Sequence, residues 1–167
     1  MKFSELEYKR PDIAATNEKL SALTEKIIAA PDAKTQIELI LEKEKLMSDF
    51  GTNATIASIR HSIDTRDAFY EAENDFFDEN GPVLEEKAQE FMNAVLESKF
   101  RKELEEKFGT LLFVNMEIEK KTFSPEIIPL LQKENALTTE YQKLYATTTA
   151  EIDGKVLPIT KLSPYKQ

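Results

Sequence analysis

Between Ile13 and Leu144 apolar side chains return every three, four or seven residues, and that spacing commits most of the chain to amphipathic helices. Breaks are few, because the 167 residues hold only 4 glycines and 7 prolines. Each break is therefore informative. Pro11 and Asp12 open a first helix, since proline at an early helical position gives up no useful hydrogen bond. Ile13, Leu20, Leu23 and Ile27 line one of its faces, and it stops near Ala30-Pro31. The carboxylate of Asp32 can cap a second helix. That helix carries Ile37, Ile40, Leu41, Met47 and Phe50 and is predicted to end at Gly51. The short connection makes residues 11–50 an antiparallel pair.

A longer third helix is expected over 52–80, capped by Thr52 or Asn53. Ile56, Ile59, Ile63, Tyr70 and Phe77 form its stripe, with Phe69 and Phe76 beside it. Asn80-Gly81-Pro82 is predicted to break it, because proline lacks an N–H and crowds the preceding turn. Helices over 82–121 follow, first with Val83, Leu84, Phe91, Met92, Val95 and Leu96, then with Phe100, Leu104 and Phe108 up to Gly109. Leu111-Leu112-Phe113-Val114 has a strand-like composition, but its polar continuation to Glu119 favours a helix. Ser124-Pro125 starts a last helix over 124–147 that carries Ile127, Ile128, Leu131, Leu137, Tyr141 and Leu144.

After Thr147 the period changes. Asp153-Gly154 lies between two short β-prone segments, the strongest local signal for a hairpin, here over 148–162. Pro158 must then sit on an edge. A lone hairpin is marginal in water, so it needs a partner surface. Residues 163–167 read as a linker. The expected fold is all-α, a bundle or array of antiparallel helices over 1–147 with a short C-terminal β-hairpin.

The inventory of reactive groups excludes much chemistry. There is no Cys and one His, so no disulfide, thiolate zinc site or thiol nucleophile can form, and no site needing several imidazoles. No Gly-rich phosphate loop is present. The N-terminus lacks the apolar core of a signal peptide, and no apolar run approaches the roughly 20 residues of a membrane helix. Asn53-Ala54-Thr55 fits a glycosylation sequon, which matters only in a secreted chain. A cytoplasmic protein without membrane or nucleic-acid partners is expected. Its net charge of −9 opposes the clustered cations that phosphate binding requires.

That charge is concentrated. Residues 64–90 hold ten acidic side chains against Arg66 and Lys87, a net of −8. The stretch is a solvated helix face or a surface for a basic partner or charged substrate. Neither an EF-hand calcium loop around Asp75–Gly81 nor a di-iron carboxylate site fits the spacing. His61 lies beside Ser62 and Asp64, but successive helical residues point about 100° apart, so Ser62 and His61 do not converge on one reaction centre. Arg60 with Asp64, or His61 with Asp64, can pair along the helix surface. The residues alone describe an acidic helical module for binding or structure.

Phe3-Ser4-Glu5-Leu6 with Tyr8-Lys9-Arg10-Pro11-Asp12 resembles the start of oligoendopeptidase F-type proteins, within the thimet-oligopeptidase-like zinc metallopeptidases. Ile59-Arg60-His61-Ser62-Ile63-Asp64-Thr65-Arg66-Asp67 with Phe69-Tyr70 and Glu73 fits the same pattern. So do Glu97-Ser98-Lys99-Phe100-Arg101, then Glu134-Asn135-Ala136-Leu137 with Glu140-Tyr141, and Leu162-Ser163-Pro164-Tyr165, in the same order. The resemblance implies the helical N-terminal, non-catalytic lobe of a peptidase that hydrolyses short peptides and whose N-terminal region helps wall the substrate channel. In that family His-Glu-x-x-His and a further Glu hold zinc. This sequence has no such motif, so it is expected to be inactive alone, with no cofactor of its own and zinc in the parent. The implied partners are the catalytic domain of the same polypeptide, toward which 163–167 would lead, and short peptides. Arg60, His61, Asp64, Arg66, Asp67 and Tyr70 become the candidate inter-lobe or channel surface. A stand-alone acidic adaptor is the alternative.

Overall fold

Asp12, Asp32 and Asp67 each precede a helix and each takes the cap position, which fixes where the three main helices begin. The Asp12 carboxylate accepts from the Ala15 N–H at 3.0 Å and Asp32 from Thr35 at 2.8 Å. Asp67 accepts from Phe69 and Tyr70. Each satisfies amides that would otherwise lack partners. In the computed structural model, which describes residues 2–165, the helices are α1 (Ile13–Ala29), α2 (Ala33–Ile63), α3 (Ala68–Leu96), α4 (Arg101–Phe108), α5 (Thr110–Thr122) and α6 (Ile128–Thr147). Strands β1 (Thr149–Ile152) and β2 (Lys155–Pro158) close the chain as an antiparallel hairpin. The fold is thus the expected helical array with its hairpin.

Two expected helix ends are not ends. α2 runs through Gly51, and α3 runs through Gly81-Pro82. A mid-helix glycine costs only about 1 kcal/mol relative to alanine. Buried Leu39 and Ile40 on one side of Gly51, and Ile56 and Ala57 on the other, outweigh that cost. Phe50 also packs edge-on against Phe77 of α3. The break falls instead at residues 64–67. The pair expected over 11–50 and the long helix expected over 52–80 are therefore re-divided: the long elements are α2 and α3.

Pro82 removes the amide that would bond to the Asp78 carbonyl. A side chain of α6 takes its place: Asn135 Nδ2 donates to that carbonyl at 3.3 Å, and Gln132 Nε2 donates to the neighbouring Glu79 carbonyl at 2.7 Å. Long-range polar replacement is why the proline is accommodated inside α3 rather than ending it.

The main core lies where α1, the first half of α2, the second half of α3, α4 and α5 meet. Leu23, Ile27, Ile40, Phe91, Val95, Leu104 and Phe113 form one buried cluster. Burial of each such side chain stabilises by roughly 1.5–3 kcal/mol. One buried polar link ties the cluster together. Gln36 Nε2 donates to the Ile27 carbonyl at 2.9 Å, and Ser98 Oγ donates to Gln36 Oε1 at 2.5 Å. The segment around Phe113 is helical, as its polar continuation indicated. α6 begins after a 3-10 turn, Pro125–Ile127.

Asp153 and Gly154 adopt φ of 53° and 73°. Two successive positive values define the hairpin turn, which Asp-Gly takes with little strain. Pro158 pairs with Thr149 at the open end of the two-stranded sheet. Beyond it lie 3-10 turns at Ile159–Lys161 and Ser163–Tyr165. The last two residues of the expected linker lie outside the described residues.

Several apolar positions assigned to inward faces point outward. Leu41, Ile59 and Ile63 are exposed, and so are Leu137, Tyr141 and Leu144 of α6. The buried positions of α2 are instead Gln36, Leu39, Ile40, Ile56, Ala57 and His61.

Candidate functional site

The α2–α3 corner is covered by the extended N-terminal segment, residues 6–10, which reaches both helices. Arg60, in the last turn of α2, donates through Nη2 to the Leu6 carbonyl at 2.6 Å and through Nη1 to the Tyr70 hydroxyl. Its guanidinium also lies over the Phe3 and Tyr70 rings, 5.8 and 5.3 Å from their centroids. A delocalised cation suits such faces. Tyr8 packs edge-on against Phe69 and Tyr70.

Glu73 is the charged centre of this clamp and only 4% exposed. Arg10 binds it in a fork, Nε to Oε2 at 2.9 Å and Nη2 to Oε1 at 2.5 Å, and the Tyr8 hydroxyl donates to Oε2. The bonds from Arg10 hold the Glu73 carboxyl below its usual range. Burial, then the hydrogen bond and charge of Glu73, push the Tyr8 phenol upward. The carboxylate is therefore kept ionised and the phenol neutral. That combination fastens a strap and generates neither a nucleophile nor a base.

The six residues singled out from sequence separate by role. Arg60 and Tyr70 belong to the clamp. Asp67 caps α3. Asp64 accepts from the Arg66 backbone amide at 3.0 Å and pairs with its side chain at 3.3 Å, both exposed. These bonds hold the Asp64 carboxyl low. Among the described residues the expected Arg60–Asp64 and His61–Asp64 pairs do not form: Arg60 is taken by the strap, His61 is buried, and Asp64 has left the helix and turns its carboxylate to Arg66. His61 is 5% exposed and its Nδ1 is buried without a hydrogen-bond partner among the described residues, so it is a packed residue and not part of a surface network. Ser62 Oγ donates to the Ser58 carbonyl, away from any reaction centre.

The acidic stretch is largely used from within. Glu71 pairs with Lys143 of α6, which lowers its carboxyl pKa. Thr139 Oγ1 donates to Asp78 at 2.6 Å, and Asn74 bonds both Asp78 and Thr139. Burial raises the Asp78 carboxyl pKa against that bond. Sequence reasoning missed Tyr8, Arg10, Glu73 and the α6 partners as a set, since the pairs lie far apart in the chain. The order of the motifs, which quoted Tyr8, Arg10, Glu73 and Asn135, was the one signal available.

Among the described residues no group of three His, Asp or Glu side chains is placed to hold a metal ion. No helix of the described residues is long and apolar enough to cross a membrane. A hollow of about 260 Å³ between α2, α3 and α5 has a floor of Met47, Phe91, Met92 and Met116 and a rim that carries the Lys43–Glu44 ion pair at 3.0 Å.

The family description Peptidase M3 N-terminal domain matches residues 3–123. No curated protein matches the chain. Among solved structures, PZ peptidase A with inhibitor 2 superimposes with a TM-score of 0.94 and 40% identity, over 98% of this chain and 29% of that one. A structure described as an oligoendopeptidase F from Bacillus anthracis strain Ames gives 0.94 and 39%, over 99% and 30%. Another oligoendopeptidase F structure, from crystals grown by microfluidic seeding, gives the same score and identity. The chain thus spans about 30% of the length of the solved proteins it matches. Their likeness extends through α6 and the hairpin.

Proposed function

The chain belongs to the Peptidase M3 N-terminal domain family, and from that premise we propose that it is the non-catalytic helical lobe of an oligoendopeptidase that hydrolyses short peptides. The observation that carries the reading is the likeness to PZ peptidase A and oligoendopeptidase F at 39–40% identity over nearly the whole chain. Its role is shape. The strap and the α2–α3 corner help wall a substrate channel in a cytoplasmic peptidase. Of the corner residues, Asp64 and Arg66 stay exposed and are available to a peptide or to the facing lobe.

Zinc, which a peptidase of this kind uses to activate water, finds no ligand set among the described residues. The metal belongs to the region carrying His-Glu-x-x-His, and no chemical step is assigned to this lobe. The test is a quenched fluorescent peptide with added zinc. The chain alone is expected to leave it intact, and the chain joined to a His-Glu-x-x-His region is expected to cleave it. Cleavage by the chain alone contradicts a non-catalytic lobe. Failure of the joined, folded protein to cleave leaves the acidic adaptor as the better reading.

A further inference from the structure

α6 is turned inside out relative to an ordinary amphipathic helix. Leu130, Leu137, Tyr141 and Leu144 are 66, 54, 65 and 64% exposed. At about 100° per residue these four fall within one stripe roughly 60° wide. Gln132, Asn135, Thr139 and Lys143 fall on the opposite side and make the polar seam to α3. No residue of α6 is buried. An uncovered stripe of two leucines and a tyrosine within eight residues is what an interface looks like before its partner is added.

We infer that this stripe is the seat of the polypeptide that follows the present region in the longer peptidases of the family. The inference rests on the peptidase reading above. Two observations choose the occupant. The matched proteins are more than three times as long, with the chain covering 29–30% of them. The segment after the hairpin also returns to the C-terminal end of the helix: Ile159 N–H bonds to the Thr148 carbonyl at 3.1 Å, and the turn Ile159–Lys161 contacts α6. The chain therefore returns to α6 after the hairpin. The rim carries Lys133, Glu134 and Glu140, charges of both signs, which suits a protein surface better than a ligand of one charge.

The test is a chimera in which this chain replaces the matching region of the B. anthracis oligoendopeptidase F, compared with L137K/Y141K in the chimera and in the isolated chain. Thermal unfolding and hydrolysis of a quenched fluorescent peptide are the readouts. The inference expects an active chimera whose Tm falls by about 8 °C or more with the double substitution, while the isolated chain shifts by less than about 2 °C. An active chimera whose Tm does not respond overturns the inference and leaves the peptidase reading standing. A several-fold rise in KM at unchanged Tm overturns it in favour of a stripe that touches substrate. A large Tm loss in the isolated chain overturns it by making the stripe part of the chain's own fold. A wild-type chimera that neither folds nor cleaves overturns the peptidase reading and the inference with it.

Discussion

The two ends of the molecule are held by opposite physics. At the end where α1, α2, α3, α4 and α5 meet, a cluster of apolar side chains packs inward around the fully buried Leu104 and Phe113, while Leu111, Val114 and Ile118 of α5 stay exposed. At the other end, α6 meets α3 through amides, hydroxyls and an ion pair, and its Leu130, Leu137, Tyr141 and Leu144 face outward while Ile128 and Leu131 are half-buried. The first arrangement is stable by itself, because area removed from water drives it. The second gives each polar bond a net of only about 1 kcal/mol and leaves much of the hydrophobic contribution of α6 unrealised. One end is built on a packed apolar cluster and the other on a polar seam.

The largest effect should come from the apolar end. Phe113→Ala removes a fully buried ring and should cost about 3–5 kcal/mol, a Tm drop on the order of 10 °C that thermal unfolding would report. An effect no larger than that of an α6 surface substitution would erase the contrast.

The clamp comes next. Glu73→Gln leaves Arg10 and Tyr8 facing a neutral amide and should lower Tm by about 5 °C at pH 7. Its pH signature has a defined sign. The folded carboxyl lies below the ordinary 4.5, so its stabilisation is present above that value and fades as pH falls through the folded pKa. Glu73→Gln should flatten the acid limb of a Tm–pH curve, and an unchanged limb would assign the acid sensitivity to other carboxylates.

Much of this was readable in the sequence and some was not, for physical reasons. Asp12 and Asp32 announced their helices because a cap acts on amides three residues away. Asp153-Gly154 announced the hairpin because positive φ is a local demand. The false breaks at Gly51 and Gly81-Pro82 arose because propensities of 1–3 kcal/mol per residue are overridden by contacts from elsewhere. For Pro82 the rescuer is Asn135, more than fifty residues on. Glu73 reads as one carboxylate in an acidic run until Arg10 is folded against it. The outward stripe of α6 has the same period as an inward one, so spacing alone cannot say which way it faces.

Two smaller effects sharpen the contrast. Asn135→Ala leaves the Asp78 carbonyl, already deprived by Pro82, without its replacement donor. It should cost about 1 kcal/mol overall, and amide exchange should rise in α6 and around Asp78 while α1 stays as it was. The smallest effect is Leu137→Lys in the isolated chain, expected within about 0.5 kcal/mol because the residue is already exposed. A larger loss would show that the stripe supports this region by itself.

Native-state hydrogen exchange on the isolated chain tests the central claim most directly, since it reads each helix's opening free energy separately. The account predicts that amides from Phe91 to Val95 of α3 exchange only through global unfolding, while those of α6 from Leu130 to Leu144 open at least tenfold more readily. Equal protection across α3 and α6 would contradict it, because the two ends would then be equally stable.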